Sequence, residues 1–417
     1  MVYIISKQGQ PLMPCSKHGK VKHLLKSGKA KIVRRCPFTI QLTYDTSNYR
    51  QPITCGVDAG SKNVGVACVS NNKVLYQSQT ELRDDIKSKM DEKRGHRRFR
   101  RTKLRYRKAR WLNRKNSIKH NRYSPTLKSK FDRHVQEINF CKKILSVTTI
   151  VLETGKFDTQ LIEKPWLQKY GWAYQKGVNY GYANSRAHAL DRDKYTCQCC
   201  GKKNKRLEVH HIIYRSNGGS DDLDNLITLC EDCHKDIHNG TKTLKLKGKK
   251  KLNLRYATQM SVLRSMLLKH YPEAIETFGY VTKANREALG LEKDHYIDAC
   301  IIASGGQLIK LNNDIFFKKC VAKQNRSMRK GVRGEKAIPL GKILGFKKFD
   351  KVKYFDQECF IKARRSSGNF VLMDIFNNNL DFKSIGGKSN LSYKTLTRLQ
   401  ARTSCLVERR NVIPVLS

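Results

Sequence analysis

PITCGVDAGSKNVGVACVSNNKVLYQSQTEL, residues 52–82, carries a clear β-sheet pattern. Apolar residues alternate through Ile53, Cys55 and Val57 to Asp58, and the alternation resumes after a glycine-containing turn. A period of two predicts strands, and the Asn-Asn pair at 71–72 predicts a tight turn before a third strand. The segment therefore predicts an antiparallel meander whose first strand ends on a carboxylate.

Two later segments carry acidic residues in similar surroundings. TTIVLETGKFD, residues 148–158, is a β-rich run that leads to Glu153. KDHYIDACIIASG, residues 293–305, predicts a helix with His295 and Asp298 three positions apart, and hence on one face. The chain thus offers one acidic residue on each of two predicted strands and one on a predicted helix.

These three segments resemble, in order, the three motifs of the RuvC branch of RNase H-like nucleases. Two-metal hydrolysis of phosphodiesters needs carboxylates gathered around cations about 3.5–4 Å apart. On the resemblance, Asp58, Glu153 and Asp298 are the magnesium ligands of that cluster. His295 would activate the water or position the phosphate.

Two Cys-x-x-Cys pairs lie between the second and third segments. They are Cys197 with Cys200, and Cys230 with Cys233. Each pair closes a tight knuckle, and four thiolates complete a tetrahedral site for a structural Zn²⁺ ion.

Histidines surround the second cysteine pair and the intervening segment LEVHHIIYRSNGGSD. His210 and His211 are adjacent, so a strand would point them to opposite faces, whereas His234 and His238 lie at i,i+4 on one helical face. The arrangement resembles an HNH, or ββα-metal, nuclease. On that resemblance His210 holds a Mg²⁺ ion, His234 or His238 adds a further ligand, His211 is the general base, and Asn225 orients the site.

A basic run separates the first two acidic segments. From Lys93 to Phe131 there are 17 Lys and Arg residues and no acidic residue. His96–Tyr123 has no Gly or Pro, which predicts a helix of about 40 Å, although like charges at i,i+4 would destabilise it in isolation. We expect it to order against phosphates, through Arg97, Arg98, Arg100, Arg101, Arg105, Arg107, Arg110 and Arg114.

The whole chain shares this charge. It has 84 Lys and Arg residues against 35 Asp and Glu residues, a formal net charge of +49. Such an excess destabilises a compact state by self-repulsion unless a polyanion neutralises it. About 20 base pairs of duplex supply about 40 phosphates, so a nucleic acid of substantial length is the expected partner.

Composition and length limit the remaining possibilities. A chain of 417 residues predicts two to four domains. No segment has the pattern of a membrane span or a secretory signal, so we expect no membrane partner. Cysteines such as Cys55, Cys68, Cys141 and Cys300 stand singly in apolar runs, which is typical of reduced, buried thiols in a cytoplasmic protein.

A split RuvC site, an arginine-rich bridge helix and an inserted HNH domain resemble the type II CRISPR effector nucleases. Only about 25 residues separate the basic helix from the second acidic segment, which leaves no room there for a large guide-recognition lobe. QPLMPCSKHGKVKHLLKSGKAKIVRRCPFTIQL, residues 10–42, resembles the PLMP domain of the IscB family, transposon-encoded RNA-guided nucleases. One departure is His210, where the CRISPR relatives place Asp.

The resemblance predicts an α/β multidomain protein with an RNase H-like RuvC core split in three segments. The expected domains are PLMP (1–50), RuvC-I (51–92), the bridge helix (93–125), RuvC-II (126–165), a zinc-containing HNH insertion (166–245), RuvC-III (246–312) and a C-terminal β-rich module contacting RNA and the target flank (313–417). Within that module, Lys353–Ile375 predicts a hairpin turning at Ser366–Asn369.

The predicted function is RNA-guided cleavage of double-stranded DNA by a monomer bound to a long structured guide RNA. HNH would cut the guide-paired strand and RuvC the displaced strand. One alternative is an unguided HNH nuclease of the homing or restriction type. Another is a non-catalytic RNA-binding transposon factor. The acidic segments argue against the first alternative, and the acidic and histidine sets together argue against the second.

Overall fold

The computed structural model describes the chain in two compact units. Unit 1 comprises Met1–Gly155 with Met260–Ser417, and unit 2 comprises Lys156–Gln259. The described residues are all except 48, 105, 107–122, 176, 178, 245, 251–253, 323–326, 329–334, 337–340, 384, 385, 388–390 and 412–417.

The strands and helices of the described residues are as follows. The strands are β1 (Tyr3–Ile5), β2 (Ala30–Arg34), β3 (Thr39–Leu42), β4 (Thr54–Ala59), β5 (Asn63–Ser70), β6 (Lys73–Glu81), β7 (Thr149–Thr154), β8 (Leu207–His211), β9 (Leu226–Cys230), β10 (Ile275–Phe278), β11 (Asp314–Cys320), β12 (Ser327–Met328), β13 (Glu335–Lys336), β14 (Lys351–Tyr354), β15 (Gln357–Arg364), β16 (Asn369–Met373), β17 (Leu391–Ser392), β18 (Thr397–Gln400) and β19 (Cys405–Asn411). The α-helices are α1 (His18–Lys26), α2 (Ile86–Thr102), α3 (Pro125–Ile144), α4 (Thr159–Glu163), α5 (Ser185–Arg192), α6 (Glu231–His238), α7 (Arg255–His270), α8 (Gly279–Ala288) and α9 (His295–Ser304).

A seven-stranded sheet, in the order β10-β7-β4-β5-β6-β11-β19, forms the centre of unit 1. Strands β4, β5 and β6 make the antiparallel meander that the sequence predicts, and Asn71 and Asn72 turn between β5 and β6 with positive φ. Strand β7 runs parallel to β4 and places Glu153 directly beside Asp58. Neighbouring strands lie about 4.8 Å apart, so the two carboxylates project from the same edge and face.

The two faces of this sheet are covered differently. On one face, Val57 and Val66 pack with Ile138 of α3 and Leu267 of α7 in the main hydrophobic core. On the other face, Ala67 packs against α9. Both faces of the central strands are therefore buried, which is why β4 and β5 are almost wholly apolar.

Two glycines let α9 approach the sheet closely. A Cβ at Gly65 would lie 1.9 Å from the carbonyl oxygen of His295, and one at Gly56 would lie 2.3 Å from that of Ala299. Only residues without a side chain fit there. The motif GVDAGSKNVGVA thus has a packing role as well as its acidic residue.

Cysteines in the main core are buried, as the sequence predicts. Cys55 faces Cys68 across the β4–β5 pair, and both lie near Cys141 of α3. All fourteen cysteines of the chain are free.

The basic helix differs from its prediction. Helix α2 begins at Ile86, inside the segment assigned to RuvC-I, and ends at Thr102, so Lys103 and Leu104 are not helical although a helix to Tyr123 was expected. Helix α2 carries like charges at i,i+4, such as Arg97 with Arg101, and such pairs destabilise a helix. The rest of the predicted helix, 107–122, lies outside the described residues, as does 105.

Three predicted domain boundaries differ from those of the structure. The boundary at 312 is wrong, because β11 pairs with β6 and β19 pairs with β11, which places both strands in the central sheet. The separate C-terminal sheet has the order β17-β16-β15-β14-β18, and its β15–β16 hairpin confirms the predicted turn, with Gly368 at φ +87°. Unit 2 is wider than the predicted HNH segment at both ends.

The N-terminal segment forms a small sheet in the order β1-β3-β2, and α1 packs on it through Val21 and Leu24. In unit 2, β8 and β9 form an antiparallel hairpin followed directly by α6, a ββα arrangement. Across the helices that the structure describes, none combines the length and apolar character needed to span a bilayer.

We predict that Gly65→Ala lowers the stability of the protein by about 1–3 kcal/mol, because the added Cβ pushes α9 away from β5. The matched control is Gly19→Ala in α1, where a Cβ meets nothing within 4 Å. Alanine there should be neutral or stabilise the helix by up to about 1 kcal/mol. Thermal denaturation of the two variants beside the wild type measures the difference, and equal midpoints would contradict the packing role of Gly65.

Candidate active sites

Four cysteine thiols converge in unit 2. The sulfur atoms of Cys197, Cys200, Cys230 and Cys233 all lie within 4.8 Å of one another. The first pair sits on a knuckle in which Gly201 donates a backbone hydrogen bond of 2.8 Å to the Cys197 carbonyl, and the second pair spans the junction of β9 and α6. The set has the ligand type and number of a structural zinc site.

The surroundings of these thiols favour thiolates in part. Burial raises the pKa of Cys197, but backbone hydrogen bonds at Cys230, Cys200 and Cys199 outweigh it and lower that pKa to about 7. The adjacent apolar cluster is small and includes Cys197, Cys230 and Cys233 themselves. A metal bound here would therefore supply much of the stability of the ββα subdomain.

Three histidines of the same subdomain form a second cluster. Ring nitrogens of His210, His234 and His238 lie within 4.8 Å of one another. The Nε2 atoms of His234 and His238 are 3.2 Å apart, and Nδ1 of His234 lies 2.9 Å from the Glu208 carboxylate. That carboxylate favours the proton on Nδ1, which leaves the Nε2 lone pair directed into the cluster.

The cluster suits a divalent cation. Burial and the neighbouring histidines lower the pKa of His210 to about 4, so its imidazole is neutral near pH 7 and offers a lone pair. Imidazole nitrogens are ligands for ions such as Zn²⁺ and Ni²⁺, whereas Mg²⁺ prefers oxygen. The donor set therefore does not favour the Mg²⁺ predicted for this site, and both His234 and His238 join His210.

His211 faces away from this cluster, as the alternation of a strand requires. Its Nε2 lies 2.9 Å from Oδ1 of Asp221, which also accepts a 2.8 Å hydrogen bond from Arg215. The hydrogen bonds from His211 and Arg215 lower the pKa of Asp221. A carboxylate that stays ionised holds the His211 ring in one orientation, as a general base requires.

Asn225 is fully buried and serves the backbone. Its Oδ1 accepts a 2.9 Å hydrogen bond from the Ile213 N–H, and its Nδ2 donates to the carbonyls of Ile213 and Ser220 at 3.0 and 2.8 Å. Gly219 permits this closure, because a Cβ there would lie 1.8 Å from the Ile213 carbonyl oxygen. Asn225 is thus a positioning residue that shapes the loop after His211.

Unit 1 brings the predicted acidic residues and His295 together. Asp58 and Asp298 are buried, and Nδ1 of His295 lies 2.5 Å from Oδ2 of Asp58. The hydrogen bond to Asp58 raises the pKa of His295. His295 is the first residue of α9, and the Asp294 side chain accepts a 2.8 Å hydrogen bond from its N–H, which fixes the start of the helix.

The surroundings of Glu153 favour a bound cation. Burial, together with the charges of Asp58 and Asp298, raises its pKa to about 7 against the effect of a hydrogen bond from Thr282. Its Oε2 is buried without a hydrogen-bond partner among the described residues. A metal ion held by these carboxylates would relieve both conditions.

Asp298 has a protein partner. Nη1 of the buried Arg286, on α8, donates a 2.7 Å hydrogen bond to its Oδ1. In the part of the chain that the structure describes, the carboxylate oxygens of Asp58, Glu153 and Asp298 do not all lie within 4.8 Å of one another. Arg286 thus supplies part of the positive charge at this centre.

Some residues of the two centres escaped the sequence analysis. Glu208 stands two positions before His210, so a period of two places both on one face of β8, and that signal was available. Asp221 lies in the quoted segment but carries no distinctive spacing. Arg286 has no sequence signal, because only the packing of α8 against α9 brings it to Asp298.

Of the predicted phosphate-binding arginines, Arg97, Arg98, Arg100 and Arg101 are exposed on α2. The remaining four, Arg105, Arg107, Arg110 and Arg114, lie outside the described residues.

Two protein families match this chain. Residues 2–177 match the family described as RRXRR protein, and residues 197–240 match the HNH endonuclease family. The second match contains the four cysteines and the three clustered histidines. It confirms that the ββα subdomain is an HNH endonuclease domain.

Two curated proteins share a segment of 61 residues with the chain. One is the type IV methyl-directed restriction enzyme EcoKMcrA of Escherichia coli strain K12, 41% identical over 13% of this chain and 22% of that enzyme. The other is anaredoxin of Nostoc sp. strain PCC 7120, 34% identical over 15% of this chain and 80% of that protein. The chain spans only about a fifth of the restriction enzyme.

Among solved structures, Streptococcus thermophilus Cas9 in complex with the AGAA PAM is 16% identical, with a TM-score of 0.34 over 55% of this chain and 31% of Cas9. The type II-C Cas9 of Actinomyces naeslundii is 16% identical, with a TM-score of 0.17 over 43% and 31% of the two chains. TM-scores of this size do not by themselves establish a common fold.

We predict that Cys230→Ser abolishes zinc binding and unfolds the ββα subdomain, because three ligands leave the tetrahedron open. Cys199→Ser is the matched control, since Cys199 is an exposed neighbour outside the four-thiol cluster. Elemental analysis should give the wild type and the control at least about one zinc ion per chain more than Cys230→Ser. An equal zinc content in Cys230→Ser and the wild type, or an active wild type without zinc, would contradict the assignment.

Proposed function

We propose that this chain, which contains an RRXRR segment and an HNH endonuclease domain, is an IscB-like relative of the RNA-guided nucleases and acts as an RNA-guided DNA endonuclease. The observation that supports the proposal is the presence of two chemically different side-chain clusters in one strongly basic chain. One is the histidine centre of unit 2, and the other is the acidic centre of unit 1.

In the histidine centre, His210, His234 and His238 would hold a divalent ion. Such an ion supplies positive charge for the developing negative charge on phosphate and leaving oxygen. His211, oriented by Asp221 2.9 Å away, takes the proton of the attacking water. Asn225 fixes the loop that follows His211. We assign cleavage of the guide-paired strand to this centre.

In the acidic centre, Asp58, Glu153 and Asp298 would hold Mg²⁺, whose preference is for oxygen ligands. The order of the strands, a meander with two parallel strands added beside β4, supports an RNase H-like, RuvC-type interpretation. His295 accepts or delivers a proton beside Asp58, and Arg286 neutralises part of the charge of Asp298. We assign cleavage of the displaced strand to this centre.

Guide RNA is the partner that the charge supports. A net charge of +49 exceeds what a short DNA site neutralises, and α2 exposes four arginines in two closely spaced pairs. A long structured RNA bound throughout would supply phosphates permanently, and base pairing would then select the DNA target.

A second candidate function is an unguided HNH endonuclease. The match to a methyl-directed restriction enzyme favours it, because the shared segment is found in a protein that is named for restriction. On this alternative the protein would cut duplex DNA without RNA, and the acidic centre would have no task.

Cleavage by protein freed of RNA separates the two candidates. We predict that such protein binds nucleic acid without selectivity, with an affinity that falls steeply as salt rises, and cuts a matched target only after guide RNA is supplied. We also expect a discrete long RNA to copurify with the protein when no step removes nucleic acid. Efficient cutting of the target by RNase-treated, RNA-free protein would overturn the guided function.

We predict that the two centres cut different strands. His211→Ala should abolish cleavage of the guide-paired strand by removing the general base, and Asp58→Ala should abolish cleavage of the displaced strand by removing a metal ligand. Each loss should be of the order of 100-fold or more. Strand-labelled target DNA measures it.

The controls are the variants His23→Ala and Asp45→Ala, which change exposed residues of the same two types. Both control variants should cut both strands. Loss of both cuts in His211→Ala, with target binding unchanged, would contradict two independent centres.

A further inference from the structure

The segment that follows Glu153 and opens unit 2 turns its largest side chains outward. It folds as α4 and two short 3₁₀ turns, Pro165–Gln168 and Gly171–Gln175. Leu167 and Ala173 are buried, at 3% and 6% exposure, whereas Trp166, Tyr170 and Trp172 are 50%, 52% and 65% exposed. We call these three aromatic residues the aromatic platform.

This arrangement reverses the usual order of burial, because tryptophan and tyrosine contribute more apolar surface than leucine or alanine. At roughly 200 Å² per aromatic side chain, these three side chains together expose about 300 Å². A segment that buries its small residues and exposes its large rings is suited to a partner that contacts the rings.

Hydrogen bonds to Asp158 connect the backbone elements that carry the aromatic platform. Oδ1 of Asp158 caps α4 by accepting hydrogen bonds of 2.9 Å from Gln160 and Leu161, and its Oδ2 accepts one of 2.8 Å from the Tyr174 hydroxyl. That bond joins the second 3₁₀ turn to the start of α4. The rings are therefore presented on a defined scaffold.

We propose that the aromatic platform binds unpaired bases of single-stranded DNA by stacking. Each base offers a flat π-face only when it is unpaired and unstacked, and such stacking tolerates any sequence. Exposed Lys169 and half-exposed Lys164 lie beside the rings in sequence and supply charge for the phosphates. Aromatic rings interleaved with lysine fit this ligand better than a purely apolar partner.

We identify the single-stranded DNA that binds the aromatic platform as the displaced strand of the target. The displaced strand is the single-stranded DNA that guided opening of a duplex target produces. Only this identification of the strand rests on the proposed function. The stacking itself is measured without guide RNA or cleavage, so its failure leaves the nuclease proposal intact.

Tryptophan fluorescence tests the platform directly, because the chain has three tryptophans and two belong to it. In full-length protein carrying Trp111→Phe, the emission comes from Trp166 and Trp172 alone. RNA-free protein is titrated with an oligothymidine of about 12 nucleotides, in enough salt to weaken purely electrostatic binding.

We expect saturable quenching by the DNA and none by an abasic oligonucleotide of equal length, which has the phosphates without the bases. Trp166→Ala combined with Tyr170→Ala should weaken binding about tenfold or more for each lost stack. Trp166→Phe with Tyr170→Phe keeps the rings and should retain affinity, and Tyr49→Ala, at an 83% exposed position of unit 1, should change nothing.

Three results would overturn the proposal. They are equal quenching by the abasic oligonucleotide, unchanged affinity in the double alanine variant, and stronger quenching by RNA than by DNA of the same sequence. Guided cleavage by the same preparation reports separately on the nuclease proposal.

Discussion

The approach of α9 to the central sheet is the constraint on which the acidic centre depends. Helix α9 can pack this close to the sheet only because Gly56 and Gly65 carry no side chain. A Cβ at Gly65 would lie 1.9 Å from the His295 carbonyl oxygen. That carbonyl belongs to His295, whose imidazole ring contacts Asp58. Close packing of backbone on backbone therefore sets the distance between His295 and Asp58, since protein interiors transmit displacements of a fraction of an ångström.

The histidine centre is built by the opposite strategy. Its residues come from one short hairpin and the helix after it, so local geometry places them: alternation separates His210 from His211, and helical spacing aligns His234 with His238. The apolar cluster beneath is small, and the four thiols belong to the same subdomain. A metal can compensate there for a core too small to hold a fold alone, whereas the acidic centre draws on the core of unit 1.

This difference explains what the sequence could predict. Period-two alternation predicted the meander and the strand of Glu153, and the Cys-x-x-Cys and histidine spacings predicted the composition of the HNH centre. Arg286, β11 and β19 were missed because they reach their places through contacts between distant segments. The end of α2 at Thr102 was missed because no Gly or Pro follows it before Pro125, so the sequence carries no signal for that end.

Charge connects the structure to its partner. If each of the 35 carboxylates neutralised one cation, 84 − 35 = 49 positive charges would still remain. Several carboxylates are also already engaged, among them those of the acidic centre and that of Asp221, which contacts His211 and Arg215. Ion pairs within the protein therefore cannot balance the chain. The arginines of α2 are concentrated on one helix, where mutual repulsion opposes helix formation and a phosphate backbone would favour it. A sequence that tolerates such local repulsion is suited to a state in which nucleic acid is a permanent structural component.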